Sequence, residues 1–254
     1  MAKTNVYGVN GDVASQVDVP EVFSTPYRPD IIKKAVLAAA ANKRQPYGPS
    51  KGAGMRHSVS TWGKGRGVAR VQRIAAGRMA TESPNNVSGR RAHPPVPERN
   101  WSLKVNQKER VLARKSAVAA TGCADCVKAR GHQFDDNVSF PIVVSDEVQD
   151  IKTTAEVSAF LQKIGLGYDL DRAKDGRKIR AGRGKMRNRK YRTPVSVLIV
   201  VSEREMPIFE SASNLPGVQI EEVSSLSAAI LAPGGDAGRL TVYTESAFAK
   251  IGEW

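Results

Sequence analysis

Apolar residues recur along this chain in two rhythms, and each predicts a kind of element. Ile31, Ile32, Ala35, Val36 and Ala39 fall on one face at three-to-four spacing. This predicts a helix opened by Pro29-Asp30 and running out near Lys43. Val111, Leu112, Val118 and Ala119 give a second helical face, ending near Gly122. Asn106-Gln107-Lys108-Glu109 before it reads as a capping box, with Asn106 as cap and Glu109 reaching back. Val157, Phe160, Leu161 and Ile164 give a third face, opened by Thr153-Thr154-Ala155-Glu156 and ended by Gly165. Continuous apolar runs predict strands at Phe140–Val144, Val195–Val201, Val218–Val223 and Leu240–Tyr243, the second being the most buried in character. Helices are expected near Glu205–Ser213, Ser224–Leu231 and Thr244–Gly252. At the start, Val6–Val9 and Asp12–Val19 flank Asn10-Gly11, whose tolerance of positive φ suits a two-residue hairpin turn. Strands alternating with helices predict an α/β fold with a mostly parallel sheet of about four strands, covered by helices.

Between Lys43 and Arg99 both rhythms vanish. The stretch holds eight glycines and six prolines, and large apolar residues are too sparse for a separate core. A loop longer than about 12–15 residues is unusual in a compact domain unless it is functional or disordered. Residues 1–42 and 100–254 are therefore read as one globular α/β body. Residues 43–99 are read as an extended loop, which as a two-way excursion spans at most roughly 90 Å.

Charge sharpens this division. The chain carries +14 overall. Residues 43–99 contain 12 Lys/Arg against Glu82 and Glu98, and residues 172–192 contain 11 against Asp175 alone. Each segment is +10, so the remaining body is mildly acidic. Single-sign blocks repel themselves and usually order against a polyanion. Arg forks match phosphate oxygens bidentately, Lys acts as a point charge, and glycines allow close backbone approach. Trp62 and Tyr47 are placed to stack on unpaired bases.

Other chemistries find little support. No apolar run approaches the roughly 18 residues of a membrane helix, and the first residues lack the apolar core of a secretion signal. Two cysteines make no disulfide framework, which fits a reducing cytosol. Cys123-Ala-Asp-Cys126 has the spacing of a metal or redox pair. His132 is near enough in sequence to be a third zinc ligand, but no fourth stands out. Gly63-Lys-Gly65-Arg-Gly67 and Gly182-Arg-Gly184-Lys185 lack the flanking strand and helix, or the glycine spacing, of a nucleotide loop. Asp146 and Glu147 follow a strand, where open α/β sheets hold ligands, but acids there repel phosphate. No catalytic residue, cofactor or metal site is expected.

Four stretches resemble one family: Thr61–Arg70, Gly89–Pro95, Ile179–Arg189 and Ala232–Phe248. They are similar to large ribosomal subunit protein four in its archaeal and eukaryotic form. The resemblance implies a cytoplasmic protein of the ribosome whose partners are large-subunit rRNA and neighbouring ribosomal proteins. It implies a body on the outer part of the subunit and a loop that penetrates the rRNA. The loop tip, Trp62, Gly63, Lys64, Gly65, Arg66, Gly67 and Arg70, would line the polypeptide exit tunnel and meet the nascent polypeptide. Arg66 stands where bacterial members usually carry Thr. The rRNA-binding candidates are Arg44, Lys51, Arg56, Trp62, Lys64, Arg66, Arg70, Arg73, Arg78, Arg90, Arg91 and His93 in the loop. In the second segment they are Arg177, Lys178, Arg180, Arg183, Lys185, Arg187, Arg189, Lys190 and Arg192. The alternative is an RNA-modifying enzyme with an α/β core and basic arms; a DNA-compacting protein is a third reading.

Overall fold

A computed structural model describes residues 2–254. In chain order the elements begin with β1 (Lys3–Tyr7), β2 (Val13–Asp18) and α1 (Pro29–Asn42). Four two-residue strands follow: β3 (Val59–Ser60), β4 (Arg73–Ile74), β5 (Thr81–Glu82) and β6 (Ser88–Gly89). Then come α2 (Gln107–Thr121), α3 (Ala124–Arg130), β7 (Ile142–Val144), α4 (Thr154–Lys163) and α5 (Gly167–Asp175). The chain continues with β8 (Lys178–Ile179), β9 (Tyr191–Arg192), β10 (Leu198–Val201) and α6 (Ile208–Ser213). It closes with β11 (Gln219–Glu222), α7 (Ala228–Leu231), β12 (Thr241–Thr244) and α8 (Glu245–Gly252). Two units result, one of residues 1–40 and 103–254 and one of residues 41–102.

The larger unit is built on a six-stranded sheet in the order β11-β10-β12-β7-β1-β2. Five of these strands run parallel, and β2 pairs antiparallel with β1 at the edge. About four strands were expected, because the N-terminal hairpin reads as a local unit. The difference lies in β1, whose Val6 and Tyr7 pair with Val143 and Val144 of β7. The hairpin turn also spans Gly8–Asp12 rather than two residues, with Gly11 at φ 87°. Val9 packs against the core, which lengthens the turn.

Alternation along the strands sorts the core onto two faces. Ile142, Val144, Ile199, Val201 and Val242 point to one side, with Phe160 and Leu161 of α4, Ile208 of α6 and Leu170 of α5. Val143, Leu198, Val200 and Tyr243 point to the other, with Ile32 and Val36 of α1, Val118 of α2, and Phe248 and Ile251 of α8. Both faces are covered, which is why the central strands read as unbroken apolar runs.

Two helix starts that look alike in sequence differ in the fold. Thr153 Oγ1 accepts from the Glu156 amide at 3.3 Å, as the capping pattern predicts. Asn106 sits at the corresponding position of α2 but makes no side-chain cap, and the Glu109 carboxylate is taken by Lys34 Nζ at 2.7 Å. Thr153→Ala therefore lowers stability by about 1 kcal/mol, whereas Asn106→Ala costs only a few tenths of a kcal/mol. Urea midpoints of the two variants distinguish these outcomes.

The Ala232–Phe248 stretch proves architectural. Gly238, at φ 87°, lies where a Cβ would come 2.5 Å from the Cys126 carbonyl oxygen. This close approach to α3 sets the next residue, Arg239, wholly inside the body. Arg239 donates to the carbonyls of Ser196 (3.2 Å) and Ile230 (2.9 Å) and to Gln219 Oε1 (2.9 Å). It ties together the segments that enter β10, β11 and β12. Burial, reinforced by Arg130, lowers its pKa to about 10, and it stays charged at neutral pH.

Candidate nucleic-acid interface

The smaller unit, residues 41–102, has local order but almost no interior; Thr81 is its one buried residue. The expectation of a loop without regular structure needs that correction. β3 and β4 pair antiparallel, with Val59 opposite Ile74 and Ser60 opposite Arg73. β5 and β6 pair through Thr81 with Ser88 and Glu82 with Gly89. Gly89 is required here, because an added Cβ would overlap the Ser83 carbonyl oxygen. The two arms of the segment touch each other: Gly48 lies against Pro95 and Pro97, and Gly54 against Arg90.

The tip is Thr61–Arg70. Gly63, Gly65 and Gly67 all have positive φ, between 68° and 79°, and a Cβ on any of them would meet nothing within 4 Å. Glycine is required there by backbone conformation, not by crowding. Lys64, Arg66 and Arg70 are exposed at this tip. Arg73 behaves differently from its neighbours. It donates to the carbonyls of Ala69 and Arg78, and its guanidinium lies 5.5 Å from the centre of the half-buried Trp62 ring. Arg73 thus braces the tip. Lys51 pairs with Glu98 at 3.1 Å and Arg56 reaches Ser50 at 3.4 Å. Arg78, Arg91 and His93 are exposed and Arg90 half-buried, with no acidic partner.

Sequence reasoning passed over Trp101. Its ring is flanked by the Arg44 guanidinium at 3.9 Å and that of Arg99 at 4.3 Å. An aromatic two residues beyond an Arg, at the end of a cationic run, was the available signal. These contacts preorganise two guanidiniums whose edges remain open to solvent.

The second cationic segment is a hairpin. β8 and β9 pair Lys178 with Arg192 and Ile179 with Tyr191. Arg180 reinforces the ladder, its amide donating to the Lys190 carbonyl at 2.8 Å and its Nε to that of Arg189 at 3.1 Å. Gly182 (φ 74°) and Asn188 (φ 60°) turn the chain around a single helical turn at Arg183–Met186. Arg177 lies 4.3 Å and Lys190 5.4 Å from the centre of the Tyr191 ring. Arg177, Lys178, Arg180, Arg183, Lys185, Arg187, Arg189, Lys190 and Arg192 are all exposed, and none forms an ion pair among the described residues. Like charges facing one another across a ladder destabilise it.

Arg172, grouped by sequence with this segment, is half-buried and tied into the body instead. Its Nε donates to Asp169 Oδ1 at 2.8 Å and its Nη2 to the Val195 carbonyl at 2.8 Å. The fully buried Asp169 also receives His132 Nδ1 at 3.1 Å, the Gln133 amide at 3.1 Å and the Ser196 hydroxyl. Burial raises the Asp169 carboxyl. The bonds from His132, Arg172 and Ser196 outweigh it and hold the group well below the usual carboxylate range. His132 is a structural partner of Asp169, and among the described residues no three His, Cys, Asp or Glu side chains gather in a group that could hold a metal ion. Cys123 precedes α3 and Cys126 lies on it, both as free thiols. Burial and then the neighbouring Cys123 push the Cys126 thiol up to about 11, so it is a poor thiolate at neutral pH.

The strand ends are also occupied by internal contacts. Asp146 Oδ1, after β7, receives Ser246 Oγ at 2.7 Å, the Ser246 amide at 3.1 Å and Gln149 Nε2 at 2.7 Å. Lys250 reaches the Ser202 carbonyl at 3.3 Å after β10. Asp146 caps α8 at the position where an α/β enzyme binds its ligand.

The α/β body is covered on both sheet faces, and the exposed Lys and Arg of residues 41–102 and of the β8–β9 hairpin have few acidic partners. Residues 17–254 match the Ribosomal protein L4/L1 family. The chain is 49% identical to the large ribosomal subunit protein uL4 of Methanococcoides burtonii, over 99% of this chain and 98% of that protein. It is 46% identical to uL4 of Archaeoglobus fulgidus over 99% of each, and 47% identical to uL4 of Haloquadratum walsbyi over 99% of each. The chain belongs to the ribosomal protein L4/L1 family. It is a structural protein of the large ribosomal subunit rather than an enzyme, and it resides in the cytoplasm within the ribosome.

Proposed function

We propose that this protein stabilises the large subunit by clamping rRNA with two cationic surfaces, residues 43–99 and the β8–β9 hairpin. The nine exposed, acid-free Lys and Arg of the hairpin carry this reading. A surface that repels itself is stabilised when phosphates replace solvent around it. Ile179, Met186 and Tyr191 are exposed on the same hairpin, and they suit contact with ribose and base faces. In the smaller unit, Arg44, Lys64, Arg66, Arg70, Arg78, Arg90, Arg91 and His93 contact phosphate, with Lys51 and Arg56 exchanging weak internal partners for it. The tip, Trp62–Gly67 with Arg70, lines the polypeptide exit tunnel and meets the nascent chain. Its likeness to the family's tip sequence supports that placement, as does the bracing of Trp62 by Arg73.

Changing Arg183, Lys185 and Arg187 together to Gln tests the hairpin. These side chains have no internal partner, so the fold is retained. Each lost phosphate contact reduces the slope of log affinity against log salt by about 0.7 for single strands or 0.9 for duplex. Filter binding to protein-free large-subunit rRNA is expected to show a slope shallower by about two to three. An unchanged slope would remove the hairpin from the interface.

A further inference from the structure

A cavity of about 350 Å³ opens at the end of α3, lined by Arg130, His132, Arg172, Val195 and Asp236 among others. It lies outside the exposed cationic surfaces described above, and three of the residues that line it each keep a nitrogen with no hydrogen-bond partner among the described residues. Arg130 uses Nη2 on the Pro233 carbonyl at 2.9 Å, while its Nη1 is buried and makes no hydrogen bond. His132 commits Nδ1 to Asp169, leaving Nε2. Arg172 commits Nε and Nη2 to Asp169 and Val195, leaving Nη1.

We infer that this cavity binds one phosphodiester group of RNA, held by Arg130 and Arg172 with His132 beside them. A staple to Pro233 needs only one nitrogen of Arg130. Burying the other unpaired is costly, and a phosphate oxygen removes that cost. Burial lowers the Arg130 pKa; Asp236 opposes the shift and Arg172 adds to it, so both neighbours are near enough to act on this guanidinium. Asp236, exposed and also lining the cavity, is the opposing charge; it forms no ion pair among the described residues. The cavity exceeds the needs of a bare anion and admits the adjoining ribose.

Continuity selects RNA as the occupant. Arg172 precedes β8 and Val195 follows β9, and the bond between them closes the foot of the cationic hairpin. A strand whose phosphates track the hairpin arrives at this cavity. The inference thus rests on the proposed rRNA contact and adds a specific phosphate to it.

The test uses the full chain with protein-free large-subunit rRNA, comparing Arg130→Gln and Asp236→Asn with the unaltered protein. Arg130→Gln is expected to weaken binding about tenfold and to flatten the salt slope by about 0.7–0.9. In phosphate-ethylation interference it loses sensitivity at one position. Asp236→Asn removes a repulsive charge from an exposed site without threatening the fold, and it tightens binding. If the unaltered chain binds and both variants match it with no phosphate lost, the cavity holds no RNA and the clamp stands. If the unaltered chain does not bind rRNA, both readings fall.

Discussion

Replacing residues 50–95 with a short glycine-serine linker removes most of the affinity for large-subunit rRNA and leaves the body folded. The deleted stretch carries nine Lys and Arg. If only four of them reach phosphates, the salt slope becomes shallower by about three and affinity near physiological salt falls by roughly two orders of magnitude. The structure makes the excision feasible. Gly48 lies against Pro95 and Pro97, so the cut ends are already neighbours. Thr81 is the one buried residue removed, and both faces of the core stay complete. Thermal melting of the shortened chain serves as the fold control. Wild-type rRNA affinity in that chain would refute the clamp.

Asp169→Ala gives the largest stability loss of any single change considered. It leaves Arg172, His132 and the Ser196 hydroxyl facing a void, and breaking a buried pair from one side costs about 3–5 kcal/mol. Asp175→Ala, an exposed change on the same helix, stays within about 0.5 kcal/mol and is the matched control. The expected pH dependence follows from the direction of the shift. The Asp169 pKa is depressed in the folded chain, so its contribution is complete above the ordinary carboxylate range, near pH 4. It is lost as pH falls through the folded value. The stability difference between wild type and Asp169→Ala therefore narrows in acid and is flat from about pH 5 upward. A difference that persists at the lowest pH at which the chain folds would show that packing, not the carboxylate, is responsible. The same change removes the Asp169 contacts that hold Arg172, whose remaining bond to the Val195 carbonyl closes the foot of the β8–β9 hairpin.

Some of this was legible in the chain alone because it is local. The stripes of α1 and α4 and the apolar run of β10 follow from side-chain period, and Thr153 caps its helix through an atom three residues from its partner. The two cationic segments needed only counting, since like charge without acids is a property of composition. What failed was what depends on distant residues. Asn106 makes the right pattern, but Glu109 is drawn to Lys34 on another helix. β1 looked like half of a hairpin until β7 paired with its open edge. Arg172 falls within the cationic segment by sequence, yet the Val195 carbonyl, 23 residues on, and the nearby Asp169 hold it half-buried.

Periodicity and charge placement, being written within a few neighbouring residues, determined by themselves that this is an α/β body bearing two polycationic segments. Only the tertiary structure decided which cations are free. That choice depends on carboxylates, carbonyls and rings brought from tens of residues away: Asp169 to His132, Val195 to Arg172, Ser196 and Gln219 to Arg239, Trp101 to Arg44. A charge is available to a partner when the fold has not already satisfied it, and the sum of such contacts exists only once the chain has closed on itself.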